Sequence, residues 1–288
     1  MNIALTGSAG LIGSQILEDL QDLNYNILCI SSSKSSPANN IYSYEDMHAG
    51  KILQPIDCII HLASINSEMS ECDIPLEVAI TESVIKGMKL IKCKKIIFFS
   101  SAKVYGDNSF DHKLLSESSP LNPSCPYGKA KMLCEDYVIQ ASLDMNFNYL
   151  IFRMPPVLIN HPKSNVGKLF QVLGKGFPVP SFATGDSNSR SFLSYKLLYS
   201  ILDLALNQDS YINNEIFNLS DTKAVSTNEL LKEIAATMQK NARIIYFPNF
   251  LFRAMLRINR LQLILCRLFG NFDLSNAKLL KNFNLLDK

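Results

Sequence analysis

Tyr127 and Lys131 stand four residues apart in the stretch Tyr127-Gly128-Lys129-Ala130-Lys131. On a helix that spacing puts both side chains on one face. A free tyrosine, with a pKa of about 10, is a poor acid–base group at neutral pH. An ammonium beside it favours the phenolate. Lowering the pKa by about 3 units requires about 4 kcal/mol of differential stabilisation, which one or two charges in a partly dry cleft can supply. Such a pair can carry a proton to or from an alcohol or carbonyl oxygen. A hydroxyl able to hold that oxygen closes the apolar run KKIIFFSS, at Ser100 and Ser101. Most Tyr-x-x-x-Lys pairs lie on ordinary helix surface, so the weight rests on all three groups occurring in this order.

A second constellation opens the chain. MNIALTGSAGLIG places Gly7, Gly10 and Gly13 between a short apolar run and a helical pattern. In a strand–turn–helix unit the first glycine permits the tight turn. The second lets the backbone approach a pyrophosphate, and the third lets helix and strand pack closely. The helix N-terminus adds free N–H groups and partial positive charge, which suits a dinucleotide diphosphate. An oxidised nicotinamide ring would also favour the tyrosine's phenolate. Beyond the second strand, NILCIS, no carboxylate follows; Ser31, Ser32, Ser33 and Lys34 stand there instead. Hydroxyls and a lysine can bind a 2′-phosphate, so NADP(H) is favoured, with NAD(H) as the alternative if Ser31 bonds the ribose.

The elements that must position these groups alternate. Residues 2–6, 26–31, 57–63, 94–101 and 148–154 read as strands, and 11–23, 74–92 and 127–142 as helices. Residues 32–44 and 106–126 read as loops. Several strands are apolar on both faces, which implies a parallel sheet between helix layers. After Pro155-Pro156 the pattern loosens, with a return to the sheet near 193–207 and 216–220. The expected organisation is α/β: a doubly wound parallel sheet over 1–158 plus 192–220, and a smaller C-terminal lobe over 159–191 plus 221–288.

With 288 residues, 47% apolar, the chain can bury a sizeable core, and a net charge of +2 points to no nucleic acid or other polyanion. Seven cysteines without a C-x-x-C pair imply free thiols in a reducing cytoplasm, and His48, His112 and His161 have no metal-ligand spacing. Met1 leads directly into the first strand, so no signal peptide is expected. The stretch 247–269 reads as an apolar helix interrupted by Arg253, Arg257, Arg260 and Arg267, which argues against stable membrane insertion. His61, inside an apolar strand, reads as a core histidine.

TGSAGLIG, DCIIHLAS, FFSSAKVYG and PYGKAK together resemble the extended short-chain dehydrogenase/reductase family, the NAD-dependent epimerases and dehydratases of nucleotide sugars. The likeness runs along nearly the whole chain. It implies a Rossmann domain with a C-terminal substrate-binding lobe, and a catalytic set of Ser101, Tyr127 and Lys131. Ser101 holds the family's place in Ser101-Ala102-Lys103-Val104-Tyr105-Gly106. The resemblance also implies cofactor contacts from Gly7, Gly10, Leu11, Ile12, Gly13, Ser31, Ser32, Lys34, Leu62, Ala63, Ser64 and Pro155, besides Tyr127 and Lys131. For a UDP-sugar it implies Arg190 as a diphosphate ligand, Asn165 and Val166 as a clasp on the same group, and Lys103 and Lys168 as further contacts. A homodimer through the Tyr-x-x-x-Lys helix is the family habit.

Sugar dehydratases of this family carry an Asp-Glu pair after the catalytic hydroxyl, and here Ala102-Lys103 replaces it. Dehydration is therefore disfavoured, leaving hydride transfer at C4 of the sugar. The missing acid at Ser31 favours a dissociable NADPH, hence a 4-keto-sugar reductase resembling the UDP-N-acetylquinovosamine type. The alternatives are a UDP-glucose or UDP-N-acetylglucosamine 4-epimerase with tightly bound NAD, and a cofactor-sensing binding protein without turnover.

Overall fold

The computed structural model describes residues 1–32, 36, 39–65, 68–162, 164–207 and 212–285, with the backbone alone at 165. β1 (Asn2–Thr6) leads into α1 (Leu11–Asp22), β2 (Asn26–Ser31), β3 (Ile41–Ser43) and α2 (Tyr44–His48). β4 (Cys58–His61), α3 (Ile74–Leu90) and β5 (Lys95–Ser101) follow. After β6 (Leu114–Leu115) come α4 (Pro126–Met145), β7 (Asn148–Met154) and β8 (Val157–Leu158). Next are α5 (Asn165–Gly174), β9 (Val179–Ser181), α6 (Thr184–Ser187), β10 (Leu193–Ser194) and α7 (Tyr195–Asn207). The remaining elements are β11 (Glu215–Asn218), α8 (Thr227–Thr237), β12 (Ile244–Tyr246), α9 (Asn249–Met255), α10 (Asn259–Phe269), β13 (Asp273–Leu274) and α11 (Ala277–Asn282).

Seven strands form the main sheet in the order β11-β7-β5-β4-β1-β2-β3. β3, β2, β1, β4 and β5 run parallel, with Ile3 opposite both Ile27 and Cys58. The chain winds outward from β1 through β2 to β3, then crosses back to β4, so the order reverses beside β1. β4 and β5 are buried on both faces, which explains their unbroken apolar sequences. On one face Ala4, Leu28, Ile59, Ile96 and Ile151 pack against Val84, Ile85 and Met88 of α3 and Val138 of α4. Phe99, Phe152 and Phe217 stack across β5, β7 and β11 at 5.7 and 6.3 Å. Each fully buried side chain of this size contributes about 1.5–3 kcal/mol. The expected loop at 32–44 instead ends in β3, which adds an edge strand through Cys29 and Ile41.

The chain divides into two compact units. The first comprises Met1–Val104, Leu121–Arg153 and Tyr199–Phe217; the second comprises Tyr105–Pro120, Met154–Leu198 and Asn218–Lys288. These limits differ from the expected ones at 158, 192 and 220, chiefly because residues 105–120 join the second unit. The reason is pairing: β6 lies parallel to β13, with Leu114 opposite Asp273. The Tyr105 hydroxyl donates to Asn218 Oδ1 at 2.7 Å, and Asn218 Nδ2 donates to the carbonyls of Leu115 and Ser275.

Within the second unit, Phe182, Phe252, Leu265 and Phe269 form an aromatic core with ring centroids 5.0–6.1 Å apart. The helical stretch expected at 247–269 is broken into α9 and α10, and Arg253, Arg257, Arg260 and Arg267 are all exposed. Among the described residues no helix is long and apolar enough to cross a membrane. All seven cysteines are free: Cys29, Cys58, Cys93 and Cys134 are buried, Cys125 and Cys266 half-buried, and Cys72 exposed.

Candidate active site

The turn between β1 and α1 is built by glycine. Gly7 has φ +75°, and a Cβ there would meet Ala63 N at 2.7 Å and Leu62 C at 2.8 Å. Gly13 packs on the Gly7 carbonyl so closely that any side chain would overlap it. α1 begins at Gly10 with no side-chain cap and no acid in its first turn. That leaves the positive end of α1 uncapped by any side chain beside a turn that only glycine fits, which suits a dinucleotide diphosphate. Facing this turn are Leu62, Ala63 and Ser64; the Ser64 hydroxyl oxygen is buried without a hydrogen-bond partner among the described residues. Leu11 and Ile12 form the first turn of α1 with Gly13. Ser31 ends β2 and Ser32 is exposed beyond it, whereas Lys34 lies outside the described residues.

α4 carries Tyr127 and Lys131. Its first turn is capped by Cys125, whose sulfur accepts from Gly128 N–H at 3.4 Å, and Pro126 opens it. Gly128 lies against the Lys103 carbonyl, where a Cβ would come within 2.5 Å. This contact holds the start of α4 on the segment that leaves β5. Ser101 stands close enough to the Tyr127 hydroxyl to lower its pKa. Lys131 Nζ lies 5.8 Å from the Tyr127 ring centroid and 5.1 Å from that of Phe98. Ser100 is committed elsewhere: it donates to Glu135, which Arg153 grips through Nη2 at 2.7 Å and Nε at 3.1 Å. That buried pair fixes β5, α4 and β7 behind the site.

Burial pushes the Tyr127 phenol up; Lys131 pulls it down, Glu77 pushes it up and the nearby Ser101 pulls it down, leaving it above the usual tyrosine range. The lowering expected from the lysine is therefore present but outweighed in the protein alone. Burial works against the Lys131 charge, yet Tyr127 and Glu77 hold its pKa above the usual lysine range. Glu77 is the functional residue that sequence reasoning missed. Its carboxylate pairs with Lys131 Nζ at 2.9 Å, with side-chain exposures of 1% and 2%. Its other oxygen accepts from Ile65 N–H at 2.7 Å. The signal was periodic: Glu77, Thr81, Val84, Ile85 and Met88 are all buried on one face of α3, and the first is an acid.

Thr6 and His61 link the glycine turn to this network. Thr6 Oγ1 accepts from Ala63 N–H at 3.1 Å and pairs with His61 Nδ1 at 2.7 Å; His61 Nε2 lies 3.2 Å from Thr81 Oγ1. Burial, with Lys131 adding, pulls the His61 pKa down to about 3, so the ring is neutral at pH 7. It is a hydrogen-bonded core residue.

The structure thus brings Ser101, Tyr127, Lys131 and the 62–65 loop together in the first unit, with Lys103 N–H donating to Ser101 Oγ at 3.2 Å. Pro155, Asn165, Val166, Lys168 and Arg190 belong to the second unit. There Val166 is buried among Leu173, Phe192 and Leu230, so its side chain serves the core, and Lys168 is exposed. Arg190 is held by backbone bridges to Val225 and Phe272. Its Nη1 donates to the Leu268 carbonyl at 3.2 Å, and the guanidinium lies 5.3 Å from the Phe192 ring. Burial alone lowers its pKa to about 10, with no carboxylate contributing. A half-buried guanidinium of this kind suits an anion.

Residues 3–220 match the model of the NAD dependent epimerase/dehydratase family. A putative UDP-glucose 4-epimerase of Methanocaldococcus jannaschii is 26% identical over 264 residues, 85% of each chain. A bifunctional protein of Kluyveromyces lactis is 27% identical over 190 residues, where the match spans 57% of this chain but only 28% of that protein. Among solved structures, UDP-N-acetylglucosamine 4-epimerase from Bacillus cereus superposes with a TM-score of 0.77 at 16% identity, covering 99% of this chain and 90% of that one. UDP-glucuronic acid 4-epimerase from the same organism, in complex with NAD, gives 0.69 at 22% identity over 86% and 87%.

Proposed function

The chain belongs to the NAD-dependent epimerase/dehydratase family, and from that premise we propose that it inverts C4 of a UDP-sugar. The observation that carries the reading is Lys131 Nζ 5.8 Å from the centre of the buried Tyr127 ring, with Ser101 near enough to the phenol to lower its pKa. The 4-keto reductase favoured by the sequence is not what the Methanocaldococcus and Bacillus relatives are named for; their names are those of 4-epimerases. The same holds for the preference for NADP(H): the family is NAD-dependent, and a neighbour is crystallised with NAD.

Gly7, Gly10 and Gly13, with the first turn of α1 and the Ser64 hydroxyl, would hold the dinucleotide. Bound there, it supplies an acceptor and donor of hydride. Ser101 donates to the sugar oxygen at C4 and orients it. Tyr127 takes the hydroxyl proton as that carbon is oxidised and returns it as the carbon is reduced on its opposite face. Lys131 stabilises the phenolate between those two events. With Ala102 buried and Lys103 next to it, no carboxylate follows Ser101 to remove a proton from C5. Arg190 is the diphosphate ligand of the second unit. Leu133 on α4 and Leu76 on α3, 43% and 57% exposed, offer apolar surface for the homodimer.

Incubation with UDP-glucose and UDP-N-acetylglucosamine tests the reading. The expected result is the C4 epimer, formed by purified protein that retains NAD and consumes no added nicotinamide. Stoichiometric oxidation of NADPH by a 4-keto sugar, without epimer, would overturn it in favour of the reductase.

A further inference from the structure

We propose that Glu77 is a positioning residue: it ties the catalytic ammonium to the 62–65 loop and makes the Tyr127–Lys131 pair harder to deprotonate. The geometry is specific. One carboxylate oxygen pairs with the Lys131 ammonium at 2.9 Å; the other takes the Ile65 N–H at 2.7 Å. Both side chains are essentially without solvent, so the pairing is screened little. An acid in the first turn of α3 is also held by the helix dipole.

Among the described residues, Glu77 is the one unmatched negative charge that faces the pair. Ser101 comes from β5, and Cys125 and Cys134 from α4 itself; the Cys134 thiol is pushed up to about 11 by burial. His61 of β4 is neutral, and burial pushes Tyr44 of α2 up to about 12. Glu135 is matched by Arg153. With Glu77 ionised, the set of carboxylate, ammonium and phenol is neutral, and losing a proton leaves a buried negative charge. With a glutamine at 77 the set starts positive, and losing a proton leaves it neutral. Loss of the first proton is then easier, whichever group releases it. Glu77 therefore keeps Tyr127 protonated in the empty site, and it makes the position of the 62–65 loop depend on the catalytic lysine.

Glu77→Gln separates the two roles, because the amide oxygen still accepts from Ile65 N–H while the charge is gone. The titration of Tyr127 in cofactor-free protein, read as tyrosinate absorbance against a Tyr127→Phe control, is expected to move to lower pH by about one unit or more. The acidic limb of kcat moves with it, and the NAD Kd stays within a few fold. Glu77→Ala also frees the loop and raises the NAD Kd by about tenfold. Coincident titration curves for wild type and Glu77→Gln would overturn the proposal. If Glu77→Gln does not fold, Lys131→Met and Glu77→Gln/Lys131→Met carry the same test, with Tyr127 expected to titrate lower in the double variant. The inference assumes Tyr127 as the proton carrier, but its titration needs no substrate. A shifted curve without epimerase activity would sink the proposed reaction and leave Glu77 in place.

Discussion

A phenol can move protons at neutral pH only if its surroundings compensate for its burial. Tyr127 is surrounded by opposing influences, burial and Glu77 on one side, Lys131 and Ser101 on the other. Replacing it with phenylalanine removes the proton carrier and little else. Tyr127→Phe is expected to lower kcat by about 10²–10⁴-fold while NAD affinity, measured by fluorescence titration, stays within a few fold. Tyr127, Lys131 and Ser101 were legible because their spacing and their places at element ends are chemical statements in themselves. Glu77 was not, since an acid in the first turn of a helix normally faces water. Only the packing of α3 on α4 turns that position inward.

Among the elements, β1, β4 and α3 meet at a neutral histidine. His61 has a folded pKa of about 3, well below its ordinary value, because burial disfavours the charged ring. Its contribution to stability is complete above about pH 6.5 and is lost as the pH falls from there toward 3. The full loss amounts to roughly 5 kcal/mol at about 1.4 kcal/mol per pH unit, of which roughly 3.5 kcal/mol falls above pH 4. Urea midpoints at pH 7 and pH 4 should show it, and His61→Gln should flatten the difference. The sheet itself was readable in the sequence, since β1, β2, β5 and β7 fall on the expected runs. β3 was not, because an edge strand of three half-buried residues carries too short an apolar signal. The single helix expected at 247–269 failed for a different reason: Phe252, Leu265 and Phe269 must all reach Phe182, and one straight helix cannot bring them there.

At the scale of the molecule, each unit is assembled from three separated segments of chain. Sequence order alone could not place residues 105–120, whose partner strand lies more than 150 residues later. Stability of the second unit rests on residues equally far apart. Phe182→Ala removes the ring at the centre of the aromatic core and is expected to cost about 3–5 kcal/mol, read from the denaturant midpoint. An unchanged midpoint would mean that Phe252, Leu265 and Phe269 can close over the gap.

The cysteine pattern also has a practical use. Cys72 is the one exposed thiol, and it sits in the turn Glu71–Asp73 that runs directly into α3. A fluorophore coupled there with a mild maleimide treatment would be a single-site reporter five residues ahead of the carboxylate at 77. Changes in its emission on adding dinucleotide would follow, in real time, how α3 responds to the addition.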